Sequence, residues 1–101
     1  MSKRKKGNTF LYDIHCAQCN AFVMQYLKGG RGGLLRCFLT GILLPEDLAD
    51  LHNIISTKDD IPNLHCPNCE ILIGVPMVYK DGRLAFRMIN GTFGKRKAKL
   101  V

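Results

Sequence analysis

The chain contains one pattern twice. Ile14-His15-Cys16-Ala17-Gln18-Cys19 and Leu64-His65-Cys66-Pro67-Asn68-Cys69 both read apolar, His, Cys, any residue, carboxamide, Cys. A Cys-x-x-Cys turn can aim two sulfurs at one ion roughly 2.3 Å away, which fills half a tetrahedron. The other half must come from elsewhere in the chain. The pair therefore predicts one four-thiolate zinc site made of Cys16, Cys19, Cys66 and Cys69, drawing two distant halves together. Four thiolates close the coordination shell and leave no place for an activated water, so the expected role of the Zn2+ is structural. A lone Cys-x-x-Cys also suits a redox pair; two copies favour metal. Asn20 and Glu70 stand where covalent haem attachment needs a histidine, which excludes that chemistry.

A chain of 101 residues with 47% hydrophobic content fits one domain with a modest core. Domains of this size commonly lean on a metal, and a structural zinc site supplies roughly 10 kcal/mol or more of apparent free energy. Met1-Ser2-Lys3-Arg4-Lys5-Lys6 is not followed by a long apolar run, so a cytoplasmic protein is expected (nuclear if the source is eukaryotic). In a reducing compartment five cysteines favour metal over disulfides, as does their odd number. The longest apolar stretch, Leu34 to Leu44, is interrupted by Arg36 and too short to span a bilayer, so no membrane partner is expected.

The net charge of +7 is unevenly spread. Residues 9–94 hold seven Lys/Arg against eight Asp/Glu, while the two ends carry eight Lys/Arg and no acid. This divides the chain into a basic arm (1–8), a zinc-binding β domain (9–94) and a basic tail (95–101). Lys3, Arg4, Lys5, Lys6, Arg31, Lys95, Arg96, Lys97 and Lys99 are the candidate contacts to RNA or DNA, which basic tails bind by releasing counterions. The competing reading is that such tails are solvated and serve solubility.

Thr9 to Ile14 alternates and reads as a strand entering the first knuckle. Ala21 to Lys28 reads as a second strand. Gly29-Gly30-Arg31-Gly32-Gly33 is a turn; it matches neither phosphate-loop fingerprint, and a single RGG is weak evidence for RNA. Leu34 to Leu44 reads as a third strand, with Gly41 at a bulge or close approach. Pro45 to Ile55 is the one helix, with acids in its first turn and Leu48, Leu51, His52 and Ile55 on one face. Ile71 to Tyr79 and Leu84 to Ile89 flank Asp81-Gly82, a hairpin signal, and Pro76 points to an edge or bulge. The expected fold is mostly β, with small zinc-pinned antiparallel sheets and one short helix.

Three further residues attract attention. His15 and His65 precede the knuckles and suit packing at strand ends, with a ligand or thiolate-bonding role as the alternative. Cys37, among large hydrophobes, is expected to be a buried inert thiol; the alternative is a thiol activated by Arg36.

Cys66-Pro67-Asn68-Cys69-Glu70-Ile71-Leu72-Ile73-Gly74 is similar to the Cys-x-x-Cys-x-x-x-Leu-Gly motif of the β-tent zinc folds, which include Yippee proteins, the ligand-binding domain of cereblon and methionine-R-sulfoxide reductases. The resemblance covers roughly residues 10–93 and implies β-sheets pinned by one zinc. The reductases carry a later Arg-x-Cys-x-Asn-Ser. Here Phe86-Arg87-Met88-Ile89-Asn90-Gly91 keeps only Asn90, and the thioether of Met88 replaces the nucleophile. The tryptophan cage of cereblon has no counterpart in a chain without Trp; Phe22, Tyr79, Phe86 and Phe93 are core candidates or a smaller cage.

The leading expectation is a non-enzymatic zinc module that contacts nucleic acid, or another acidic partner, through basic tails. The alternative is a protein- or small-ligand-binding β-tent module using a cleft near the zinc. A thiol-dependent reductase working through Cys37 ranks third.

Overall fold

A computed structural model describes residues 9–29, 33–54 and 57–98 of the chain. Eight strands form two four-stranded antiparallel sheets. Strands β1 (Thr9–Cys16) and β2 (Phe22–Gly29) form a hairpin whose tip is the first knuckle. Strands β5 (Leu64–His65) and β6 (Leu72–Val78) form a second hairpin, tipped by the second knuckle. Each Cys-x-x-Cys is thus the turn of its own hairpin, and each hairpin lies in a different sheet.

The first sheet also contains β4 (Ile42–Leu44) and β8 (Phe93–Lys97), in the order β4-β2-β1-β8. The second adds β3 (Arg36–Phe38) and β7 (Leu84–Met88), in the order β3-β7-β6-β5. The stretch expected as one third strand, Leu34 to Leu44, is therefore two strands in two sheets. A 3-10 turn at Leu39–Gly41 divides it. Leu39 anchors that turn in the core at 2% exposure. Gly41 allows the close approach: a Cβ there would lie 2.7 Å from Tyr26 Cε1 and 2.9 Å from the Leu27 carbonyl oxygen. Glycine, without a side chain, lets the chain lie against β2 where it enters the first sheet.

The core lies between the sheets. Ile14 and Met24 face each other across β1 and β2, and both are fully buried. Ile73 of β6 and Phe86 of β7 meet them from the second sheet, also with no exposure. Burying such side chains contributes about 1.5–3 kcal/mol each. Pro76 sits within β6 opposite Phe86. It is tolerated because β5 pairs only with Leu72–Gly74, so the other side of β6 at Pro76 is a local edge. Asp81-Gly82 forms the expected tight turn: Gly82 has φ 92°, and its N–H donates to the Tyr79 carbonyl at 2.8 Å.

The expected helix occurs as two single turns, α1 (Glu46–Ala49) and α2 (Leu51–Ile54). They meet at Asp50, whose carbonyl accepts the Asn53 N–H at 3.0 Å, an i→i+3 closure that interrupts the α pattern. His52 is consequently exposed rather than on a core face, and its Nδ1 lies 2.7 Å from the Ala49 carbonyl oxygen. Ile55 lies outside the described residues.

The C-terminal boundary also differs from the expectation. Lys95, Arg96 and Lys97 belong to β8, which pairs with β1 from Cys16↔Phe93 to Tyr12↔Lys97. The Ala98 N–H continues the ladder by donating to the Leu11 carbonyl at 2.8 Å. The strand runs past residue 94 because the open side of β1 offers backbone partners that a free tail would forgo. The expected arm at 1–8 and the end of the tail, 99–101, lie outside the described residues. Among the described residues, no helix is long and apolar enough to cross a membrane.

Candidate metal centre

The two hairpin tips meet. The Sγ atoms of Cys16, Cys19, Cys66 and Cys69 all lie within 4.8 Å of one another, a cluster that could hold a metal ion. The contacts are crossed. Cys16 Sγ is 3.6 Å from Cys69 Sγ, and Cys19 Sγ is 3.5 Å from Cys66 Sγ, so the first cysteine of each knuckle faces the second of the other. Cys16 and Cys66 are buried, while Cys19 and Cys69 are partly exposed.

The knuckles have the same internal hydrogen bonds. The Cys16 N–H donates to the Ala21 carbonyl at 2.8 Å, and the Cys66 N–H to the Ile71 carbonyl at 3.0 Å. The Gln18 and Asn68 N–H groups each point at the first sulfur of their knuckle, both at 3.3 Å. The Cys69 N–H adds a second donor to Cys66 Sγ at 3.4 Å. Such donors favour thiolate over thiol. Asn20 and Glu70, the residues after each knuckle, adopt left-handed conformations with φ of 66° and 69°. Sequence reasoning used these two only to exclude haem. The available signal was the asparagine at 20, a residue that tolerates this region.

The thiols are pulled in opposite directions. Asn68, followed by the Ala21 backbone, brings Cys19 down to about 6. Burial raises Cys66, but the Cys69 and Asn68 backbone donors outweigh it and the net shift is downward. The Ile71 backbone lowers Cys69, yet burial and the neighbouring thiols of Cys16, Cys19 and Cys66 push it up to about 12. Four adjacent sulfurs cannot all become anions without a positive charge among them, which a metal cation would supply.

Neither histidine belongs to the four-sulfur cluster. His65 is exposed. The His15 ring packs over Gly94, where a Cβ would lie 2.5 Å from Nε2, and its buried Nδ1 has no partner. Cys37 is fully buried opposite Phe86, and burial pushes its thiol far up, which removes it as a nucleophile. Met88 is buried. Of the four aromatic candidates, Phe86 is core, Phe22 is 46% exposed and Phe93 packs at the core margin. Tyr79 instead meets Phe38 edge-on at 5.3 Å. They form no common cage.

Of the candidate nucleic-acid contacts, Lys95, Arg96 and Lys97 lie exposed on β8. Lys95 Nζ is 4.7 Å from the Tyr12 ring centre and Lys97 Nζ 4.8 Å from that of Phe10. Arg96 reaches Asn20 Oδ1 at 3.5 Å. Lys3, Arg4, Lys5, Lys6, Arg31 and Lys99 lie outside the described residues. A small cleft of about 370 Å³ adjoins the four-cysteine cluster, lined by Val23, Asp47, Leu48, Cys66, Pro67 and Glu70 among others. No family model, curated protein or solved structure matches the chain.

Proposed function

We propose that this chain is a non-enzymatic, zinc-stabilised β module that contacts nucleic acid through a basic strand edge. Zinc is the metal that the donor set favours. Four sulfurs about 2.3 Å from a central ion lie about 3.8 Å apart, and the two crossed pairs here are 3.6 and 3.5 Å apart. A full thiolate shell gives the ion a structural role, and the buried Cys37 and the thioether at Met88 favour a function without chemistry. The paired hairpins and two antiparallel sheets are compatible with a β-tent-like arrangement, which contributes a fold to this reading and no ligand.

The observation that carries the nucleic-acid reading is the placement of Lys95, Arg96 and Lys97 on one exposed strand. Two of these cations extend over aromatic rings, so their charges are partly ordered before any partner arrives. A row of cations on an edge strand follows a phosphate backbone without reading bases. The test is fluorescence anisotropy with single-stranded RNA and with duplex DNA across a salt series. The triple variant Lys95→Gln, Arg96→Gln, Lys97→Gln should weaken binding and flatten the single-strand salt slope by roughly 2. An unchanged slope would remove the β8 edge from the interface.

A further inference from the structure

Away from the cysteines, residues of β2, β3 and the β6–β7 turn line a second, larger cleft of about 430 Å³. We propose that this cleft binds a nucleotide, held by its phosphate on Arg36 and Arg83 and by its base stacked beside Phe38. Tyr26 and Lys28 of β2, Arg36 and Phe38 of β3 and Arg83 of the β6–β7 turn line it, with the Phe38 N–H bonded to the Tyr26 hydroxyl. The described lining carries three basic side chains and no carboxylate, and Arg83 is paired with an acid, Asp81, outside the lining. That asymmetry selects an anion, and the volume lies in the roughly 300–1,000 Å³ range of small-molecule sites.

The arginines are held in place. The Arg83 guanidinium carbon lies 3.9 Å from the Phe38 ring centre, and its Nε donates to Asp81 Oδ2 at 2.7 Å. The Arg36 guanidinium carbon lies 4.6 Å from the ring centre of Tyr79, which itself meets Phe38 edge-on. Two guanidinium groups are thus docked on two touching aromatic rings. A guanidinium fixed in this way gives up less conformational freedom when it takes a phosphate in its fork. Its planar face also accepts a base by stacking, as aromatic rings do in single-strand binding sites.

This deepens the nucleic-acid reading by naming a unit it could hold, but the cleft is separate from β8 and the two can fail independently. The shared chemistry is a nucleoside phosphate, free or within a single strand. The experiment is amide NMR shift mapping on the zinc-loaded full chain with adenosine monophosphate, an eight-nucleotide single-stranded RNA and inorganic phosphate. The nucleotide or the RNA should shift Phe38, Thr40 and Gly41, and the double variant Arg36→Gln/Arg83→Gln should weaken that binding at least tenfold. Shifts with the mononucleotide identify a free nucleotide as sufficient; shifts with RNA alone identify a strand. The β8 triple variant should leave mononucleotide binding unchanged, whatever it does to RNA. The proposal is overturned if neither nucleotide nor RNA shifts these amides, if the double variant binds as tightly as the wild type, or if inorganic phosphate matches the mononucleotide in affinity.

Discussion

Asn20 and Glu70 occupy the same position in two copies of one turn. Each follows the second cysteine of its knuckle and donates its N–H to the carbonyl of the first, Asn20 to Cys16 at 2.9 Å and Glu70 to Cys66 at 3.1 Å. The left-handed conformation that this requires costs an ordinary L-residue roughly 1–2 kcal/mol, and less for asparagine. Glu70→Gly should therefore stabilise the zinc-loaded protein by about 1 kcal/mol or slightly less, because glycine's unfolded-state entropy offsets part of the gain. Asn20→Gly should gain less, and Glu70→Val should destabilise. Denaturant titration of the three variants reads the order.

Gly41 lets the chain pass from one sheet to the other against the face of Tyr26. An added methyl must push the ring or the Leu27 carbonyl aside. Gly41→Ala is expected to cost about 1–3 kcal/mol, the usual range for overpacking, measured as a lower denaturation midpoint with an unchanged slope. Equal stability would mean that the turn at Leu39–Gly41 shifts freely.

The Tyr26 hydroxyl ties the sheets together at the same place. It belongs to β2, yet it accepts the N–H of Phe38 in β3 at 2.8 Å. Burial raises the Tyr26 phenol above its usual range, so it stays protonated at neutral pH. Tyr26→Phe keeps the ring and leaves the Phe38 N–H without its acceptor. The expected loss is about 1–3 kcal/mol, with faster amide exchange at Phe38.

The knuckle pair, the strands beside it and the Asp81-Gly82 hairpin were legible in the residues because each is written locally. Cys-x-x-Cys twice, alternation in Phe10, Tyr12 and Ile14, and Asp-Gly between apolar runs all act over a few positions. What was not legible depends on distant partners. Leu34 to Leu44 is uniformly apolar, and nothing in it announces that Leu39 is buried while the chain changes sheets. Lys95 to Lys97 read as a tail because lysine is a poor strand former, and only the open side of β1 recruits it into β8. The cationic cleft assembles from β2, β3 and the β6–β7 turn, whose residues lie too far apart in sequence for any motif to join them.

Metal binding should be strongly pH-dependent. Ligating sulfurs must be thiolates. Cys69, held up to about 12, must give up a proton to the solvent when metal enters at neutral pH. Cys19, brought down to about 6, is already ionised there and adds its own proton to the competition only as pH falls below that value. Affinity for zinc should therefore decrease as pH falls, and decrease more steeply below about 6. Competition with a chromophoric chelator across pH 5 to 8 checks the slope; affinity that is flat over this range would contradict thiolate ligation.

Removing the metal should unfold the domain, since its two hairpin tips would then lose the one group that binds both. Excess chelator is expected to abolish the dispersed amide NMR spectrum, and zinc to restore it. Cys66→Ser should weaken zinc affinity at least tenfold, whereas Cys37→Ala should leave it unchanged, since Cys37 is outside the cluster.

The most direct measurement is X-ray absorption at the zinc edge on the purified full chain. One zinc per chain surrounded by four sulfurs at about 2.3 Å is the predicted result. A first shell containing nitrogen or oxygen, or fewer than four sulfurs, would contradict the joining of the two hairpins through Cys16, Cys19, Cys66 and Cys69.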